Sequence, residues 1–266
     1  MQPQRTTVHL PHTVKTMTPR PIRILLPTLI VLLQACTPTG PFPPQHPDTL
    51  VVASTSTSDT SQRYPATFVN VSDIVPDAML DIRYFSTYNF VGTRIDGYHR
   101  PLALLTLQAA EALQAVSIDV QQQGYRLKIF DAYRPQRAVE HFIRWSRDAA
   151  DTLTKQYFYP SIPKHLLFVQ GYLSHRSSHS RGSAVDLTLV DMATGHELDM
   201  GTPFDFLGPE SHTFNHTATS SEQYRNRLIL HQAMLRHGFK ALPTEWWHFT
   251  LINEPYPNTY FDFPIE

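Results

Sequence analysis

Two short segments concentrate the side chains able to do chemistry. One runs Ser177-Ser178-His179-Ser180-Arg181-Gly182-Ser183-Ala184-Val185-Asp186; the other is Glu245-Trp246-Trp247-His248. Together they offer two imidazoles and two carboxylates. A catalytic zinc site takes three N/O protein ligands and keeps one position open for water. His179, Asp186 and His248 can supply the three ligands, and Glu245 can be the base that takes a proton from the attacking water. Taken singly, each has an ordinary reading: the His as a solvated loop residue, the Asp as a turn cap, the Trp pair as core.

The spacing has physical content. Gly182 permits a tight turn, so His179 on a loop can fold back beside Asp186 on the strand that follows. On that strand Asp186 shares a face with Ala184 and opposes Ser183, and small neighbours leave room for an ion. Pro243 disfavours a helix ahead of Glu245. The Glu-x-x-His pair is therefore read around a strand start, with Glu245 in the preceding turn.

Other catalytic signatures are excluded. His196-Glu197 is followed by Leu198-Asp199-Met200, not by the second His of a helical zinc-protease motif. There is no Gly-x-Ser-x-Gly and no phosphate-cradling glycine loop. Ser161-Ile162-Pro163-Lys164 fits a Ser-x-x-Lys pattern, but Pro160 and Pro163 deny it the helix that would set Lys164 beside Ser161.

These residues need elements to hold them. Met79–Tyr84 alternates and predicts a strand. Leu102–Gln123 carries Leu104, Leu107, Ala110, Leu113 and Val116 at helical spacing and stops at Gly124. Tyr125–Tyr133 predicts a strand, and Pro135 opens a helix whose apolar side is Ala138, Phe142, Ile143 and Trp145. Ser183–Val190 predicts a strand, Asp191 to about Ser220 a long polar loop, Glu222–His237 a helix stopped by Gly238, and Trp246–Ile252 a last strand. The alternation lacks a strict βαβ rhythm, so α+β is expected.

The first fifth of the chain is different material. The whole has 266 residues and a formal net charge of −1, which argues against nucleic-acid binding. Residues 1–47 hold four basic groups and no acid, leaving 18 basic and 23 acidic groups in the rest. Ile24–Leu33 is a ten-residue apolar run broken only by Pro27 and Thr28, too short for the ~20 residues of a spanning helix. Behind Arg20 and Arg23 it has the form of a secretory signal. Its end, Leu33-Gln34-Ala35-Cys36, resembles a bacterial lipoprotein signal in which Cys36, the only cysteine, becomes the lipid-bearing N-terminus. A plain signal peptide, or a buried strand with an incidental Cys, is the alternative. Residues 1–36 are thus expected to be a signal peptide, with Met17 a second candidate start. Residues 37–63, rich in Pro, Ser and Thr, are expected to be a disordered tether, and 64–266 a single folded domain.

The motifs resemble the D-alanyl-D-alanine dipeptidase family of zinc D,D-peptidases. The carriers are residues 177–186, Glu245-Trp246-Trp247-His248, Asp131-Ala132-Tyr133-Arg134-Pro135 (with Ala132 where the family often has Gly), and Leu198-Asp199-Met200-Gly201-Thr202-Pro203-Phe204-Asp205. They span residues from about 70 to 264. The resemblance implies an α+β, hedgehog/D,D-peptidase-like domain with a central antiparallel sheet flanked by helices. It implies one Zn²⁺ on His179, Asp186 and His248, with Glu245 as general base and acid and Arg134 on the oxyanion. It implies Asp205, with Tyr84, at the substrate's amino terminus, and Ser177 and Tyr98 as further substrate contacts. For Arg134 an ion pair with Asp131 is the structural alternative, and for Arg181 a loop-stabilising pair.

The implied reaction is hydrolysis of D-Ala-D-Ala, a small D,D-dipeptide, to two D-alanines. The alternative is a D,D- or L,D-carboxypeptidase trimming peptidoglycan stems; a binding lipoprotein on an inactive scaffold is a third class. The leader implies a cell-envelope address on the periplasmic side, with a lipid anchor in the membrane. Thr37 after Cys36 does not supply the Asp of an inner-membrane retention signal, so the outer membrane is the expected address, and without lipidation the protein would be secreted.

Overall fold

The computed structural model describes Tyr64, Pro65 and residues 67–266; the signal segment, Cys36 and the tether lie outside the described residues. The elements are β1 (Phe68–Asn70), α1 (Val71–Ile74), β2 (Met79–Leu80), β3 (Leu104–Thr106), α2 (Leu107–Gln121), β4 (Tyr125–Asp131), α3 (Gln136–Arg147), α4 (Lys155–Phe158), β5 (Ala184–Asp191), α5 (Ser221–Arg236), β6 (Phe239–Leu242) and β7 (Glu245–Leu251).

Five strands form the central sheet in the order β2-β4-β5-β7-β6. Every pairing in it is antiparallel except β2 against β4, so the expected antiparallel sheet carries one short parallel edge. β1 and β3 make a separate antiparallel ribbon. β5 is the middle strand and is buried along almost its whole length. Its alternation puts Asp186 and Thr188 on one face and Val185, Leu187 and Leu189 on the other. The loop between β5 and α5 covers the face of Asp186 and Thr188. Helices α2 and α5 pack on each other and on the sheet.

Several elements differ from their predicted form, each for a local reason. The strand expected over Met79–Tyr84 pairs only at Met79 and Leu80; the chain then leaves the sheet edge and tightens into a 3-10 turn over Arg83–Phe85. The helix expected from Leu102 starts at Leu107, because Leu104–Thr106 pair with β1 instead. β6 has no alternating apolar signal in the sequence; it exists because Pro243 and Thr244 turn the chain back onto β7. α5 begins one residue before its predicted start, where Ser220 and Gln223 close a reciprocal capping box. Gly182 has φ +77°, and a Cβ there would meet the Phe68 ring at 2.3 Å, so the turn into β5 needs both its left-handed backbone and its missing side chain.

Candidate active site

His179 sits on a 3-10 turn, Ser178–Arg181, that Ser177 caps by accepting the His179 N–H at 3.2 Å. Its Nδ1 donates to the carbonyl of Ala132 at 2.6 Å. That bond places the ring proton on Nδ1 and leaves Nε2 with a free lone pair. Nε2 lies 2.9 Å from Nδ1 of His248 and 3.2 Å from Oδ1 of Asp186. His248 Nδ1 is 2.9 Å from the same carboxylate oxygen. Across the ring, Nε2 of His248 faces Ser178 Oγ at 3.1 Å and Thr250 Oγ1 at 3.2 Å, so its proton has hydroxyl partners and Nδ1 turns inward.

Register explains the meeting. Asp186 pairs with His248 across β5 and β7, so the two stand side by side on one face. The one donor atom from each of His179, Asp186 and His248 lies within 4.8 Å of the others, and all three residues are buried. Two imidazole nitrogens and one carboxylate oxygen, with outward protons already committed, form a donor set that fits a zinc ion with one open position. Burial opposes ionisation of Asp186, but the two imidazoles outweigh it and hold its carboxyl well below the usual range. Burial lowers the His248 pKa despite the carboxylate beside it.

Glu245 is the first residue of β7 and not part of the preceding turn. Residues three apart on a regular strand point to opposite faces. Here Ala241 pairs with Phe249 while Leu242 pairs with Glu245, so residues 246–248 bulge out of register. The bulge brings Glu245 Oε2 to 4.0 Å from His248 Nδ1. Burial, and then the Asp186 and Asp205 carboxylates, push the Glu245 carboxyl well above its usual range, with Arg134 pulling the other way.

Arg134 is held from two sides. Nε pairs with Asp131 Oδ2 at 2.9 Å and Nη2 with Asp186 Oδ2 at 3.4 Å. Its guanidinium also lies 4.9 Å from the Tyr84 ring centroid. The ion pair with Asp131 and a place on the cavity wall therefore coexist. Arg181 pairs with Glu254 at 2.7 and 2.9 Å, as the structural alternative expected.

Asp205 accepts a hydrogen bond from the Tyr84 hydroxyl at 3.1 Å, while its Oδ2 is buried without a hydrogen-bond partner. Burial, followed by the nearby Asp186 charge, raises its pKa well above the usual value. Its backbone has φ +62°, the one positive φ at a non-glycine among the described residues.

These groups open into one cavity of about 390 Å³, lined by Tyr84, Arg134, Ser177, His179, Asp186, Asp205, Glu245 and His248, with Phe90, Phe142 and Leu207 as its apolar part. Tyr98 is not among its lining residues. It is buried, and its hydroxyl donates to Asp131 Oδ1 at 2.6 Å, so it supports the partner of Arg134 and does not face the cavity.

Three participants escaped the sequence reading. Ser178 and Thr250 lie inside or beside the motif segments, and their hydroxyls meet Nε2 of His248. Tyr172 lines the cavity with its hydroxyl 3.1 Å from Nε2 of His212, a pairing for which the chain offers no local signal.

Comparison with known proteins agrees with this site. Residues 65–266 match the family model for Peptidase M15, D-ala-D-ala dipeptidase. The chain is 41% identical over 201 residues to a D-alanyl-D-alanine dipeptidase of Enterococcus faecium, covering 75% of this chain and 98% of that protein. It is 40% identical over 198 residues to one from Streptomyces coelicolor, covering 74% and 98%, and 35% identical over 195 residues to one from Escherichia coli, covering 73% and 86%. Among solved structures it is similar to a vancomycin resistance D,D-pentapeptidase, VanY, crystallised with Zn(II), at TM-score 0.34 and 13% identity over 60% of this chain and 78% of that one. With the family model matched over the whole described domain and relatives above 30% identity covered almost end to end, the chain belongs to the D-Ala-D-Ala dipeptidase family of metallopeptidases.

Proposed function

We propose that this enzyme hydrolyses D-alanyl-D-alanine with one zinc held by His179, Asp186 and His248, and that it does so in the cell envelope. The observation that carries the reading is the pairing of two features in one cavity. The His–Asp–His cluster lies at one place, and at another is a buried carboxylate oxygen of Asp205 with no protein partner. A substrate's free ammonium group would satisfy that oxygen, and both features line the same cavity.

When bound, zinc supplies Lewis acidity for the attacking water and the scissile carbonyl. Glu245 takes the proton from the water and returns it to the leaving amine. Arg134, steadied by Asp131, offers its remaining donors to the charge that develops on the carbonyl oxygen. Asp205, aligned by Tyr84, binds the substrate's amine. Ser177 caps the turn of His179 and presents its side chain at the wall.

A longer stem peptide would place an uncharged peptide group against Asp205 and leave a buried carboxylate unpaired, which disfavours it. The test is a side-by-side assay of D-Ala-D-Ala and a stem pentapeptide. Release of D-alanine from the dipeptide is expected; cleavage of the pentapeptide alone would establish the carboxypeptidase alternative instead.

The envelope address and the lipid on Cys36 rest on the signal-like segment alone. Metabolic labelling with a radioactive fatty acid should mark the wild-type chain and not Cys36→Ala. An unlabelled wild type found in the medium would make it a secreted protein.

A further inference from the structure

Arg227 on α5 is fully buried, and the one carboxylate whose charge acts on it, Asp199, makes no direct ion pair with it. A buried cation without a direct ion pair is costly; burial pulls its pKa down to about 10 against the opposing pull of the Asp199 charge, so it stays charged at neutral pH. What it has instead is three backbone carbonyls. Nε donates to Met200 O at 2.6 Å, Nη1 to His212 O at 2.9 Å and Nη2 to Glu210 O at 2.9 Å. A planar guanidinium reaches three acceptors from three separate nitrogens in fixed directions; the three donors of a lysine radiate from one nitrogen and cannot match that fork.

Those carbonyls bracket one segment, residues 200–212. Its only regular piece is a 3-10 turn over Pro209–Ser211. The segment carries Asp205 and Leu207 to the cavity wall, and His212 holds the hydroxyl of Tyr172 on the same wall. Asp205 occupies a left-handed backbone conformation, which an Asp tolerates better than most residues but which remains uncommon outside glycine. The neighbouring face of α5 grips the same stretch: Asn226 Nδ2 donates to Asp199 O at 2.9 Å and Gln223 Nε2 to Asp199 Oδ2 at 2.8 Å.

We infer that Arg227 is a positioning residue for substrate recognition: it clamps both ends of segment 200–212 and thereby aims the Asp205 carboxylate at the dipeptide. The inference rests on the reading of Asp205 as the seat of the substrate amine. Gly201 tests it from the loop side. It has φ +84°, and an added Cβ would sit 3.1 Å from Gln223 Oε1 and 3.3 Å from Arg227 Nη2.

The experiment uses the full chain as wild type, Arg227→Lys and Gly201→Ala, each also combined with Asp205→Asn. D-Ala-D-Ala kinetics, zinc content and amide exchange over residues 200–212 are measured. In both single variants KM should rise about tenfold with kcat within about threefold, at unchanged zinc content. In the Asp205→Asn background the same substitutions should change KM by less than about threefold, because the route is already lost. An unchanged KM in a folded, zinc-loaded variant, or an equal rise in the Asp205→Asn background, overturns the proposal. If Arg227→Lys fails to fold, Gly201→Ala decides by the same criteria. A wild type inactive on D-Ala-D-Ala defeats the functional reading separately; the clamp is then judged by exchange, which must quicken across 200–212 in the variants, and unchanged exchange rejects it.

Discussion

The carbonyl of Ala132 accepts the Nδ1 proton of His179 at 2.6 Å, and this single bond decides which nitrogen of His179 faces Asp186 and His248. It joins two motif segments 47 residues apart: the Asp131–Pro135 turn supplies the backbone atom that orients a ligand in the Ser177–Asp186 segment. Orientation of this kind keeps the donor set organised before any ion arrives.

Metal binding follows from that geometry. Asp186→Ala and His248→Ala should each lower zinc from one per chain to near none by elemental analysis. Treating the wild type with a chelator should abolish turnover, and restoring zinc should recover it. Full activity after chelation, with zinc shown to be absent, would contradict the assignment.

Glu245 stands beside the cluster without being one of its three donors. Glu245→Gln should therefore keep its zinc and lower kcat by about three orders of magnitude. Near-normal turnover would make another group the base.

Arg134 has two jobs in one side chain. Arg134→Ala should lower kcat by about a hundredfold or more while KM changes less. It should also cost about 3 kcal/mol of stability, because Asp131 is left buried with Tyr98 as its remaining side-chain hydrogen-bond partner. A denaturant titration checks the second part, and an effect on KM alone would limit Arg134 to binding.

Asp205→Asn keeps a residue that tolerates the left-handed backbone but removes the charge. KM for D-Ala-D-Ala should rise by about tenfold or more, with zinc retained. A variant that binds the dipeptide as the wild type does would remove Asp205 from amine recognition.

The two helices on the sheet are tied by Asp119 of α2, which pairs with Arg236 at 2.8 Å and His237 at 3.0 Å. Burial is the largest single influence on Asp119 and raises its pKa, but the hydrogen bonds from Arg236 and His237 together outweigh it and lower the value below 3.8. A carboxyl depressed on folding contributes stability above its unfolded pKa and loses it as pH falls through the folded one. Asp119→Asn should thus cost up to about 1 kcal/mol at neutral pH. The gap in Tm between variant and wild type should close as the pH drops below 3.8. A gap that persists in acid would mean the pair does not set it.

Much of the molecule was legible in local signals. Gly124 and Gly238 stop helices, Pro135 precedes one, and the spacing of His179, Gly182 and Asp186 already describes a turn into a strand; each depends only on a few neighbouring residues. The sequence alone therefore determined which side chains could form the site and in what order the elements carry them. Tertiary structure alone decided how they meet. The bulge that swings Glu245 toward His248 depends on pairing with β6, an edge strand without a pattern of its own. Tyr84 reaches Asp205 across 121 residues, and Tyr98 turned to Asp131 and away from the cavity wall. Arg227 reads in sequence as one more polar residue of an amphipathic helix, and only the fold shows that it is buried against three carbonyls. The reason is physical: a side chain's type and its neighbours set local conformation, whereas burial, register and hydrogen-bond partner are fixed by segments far away in the chain.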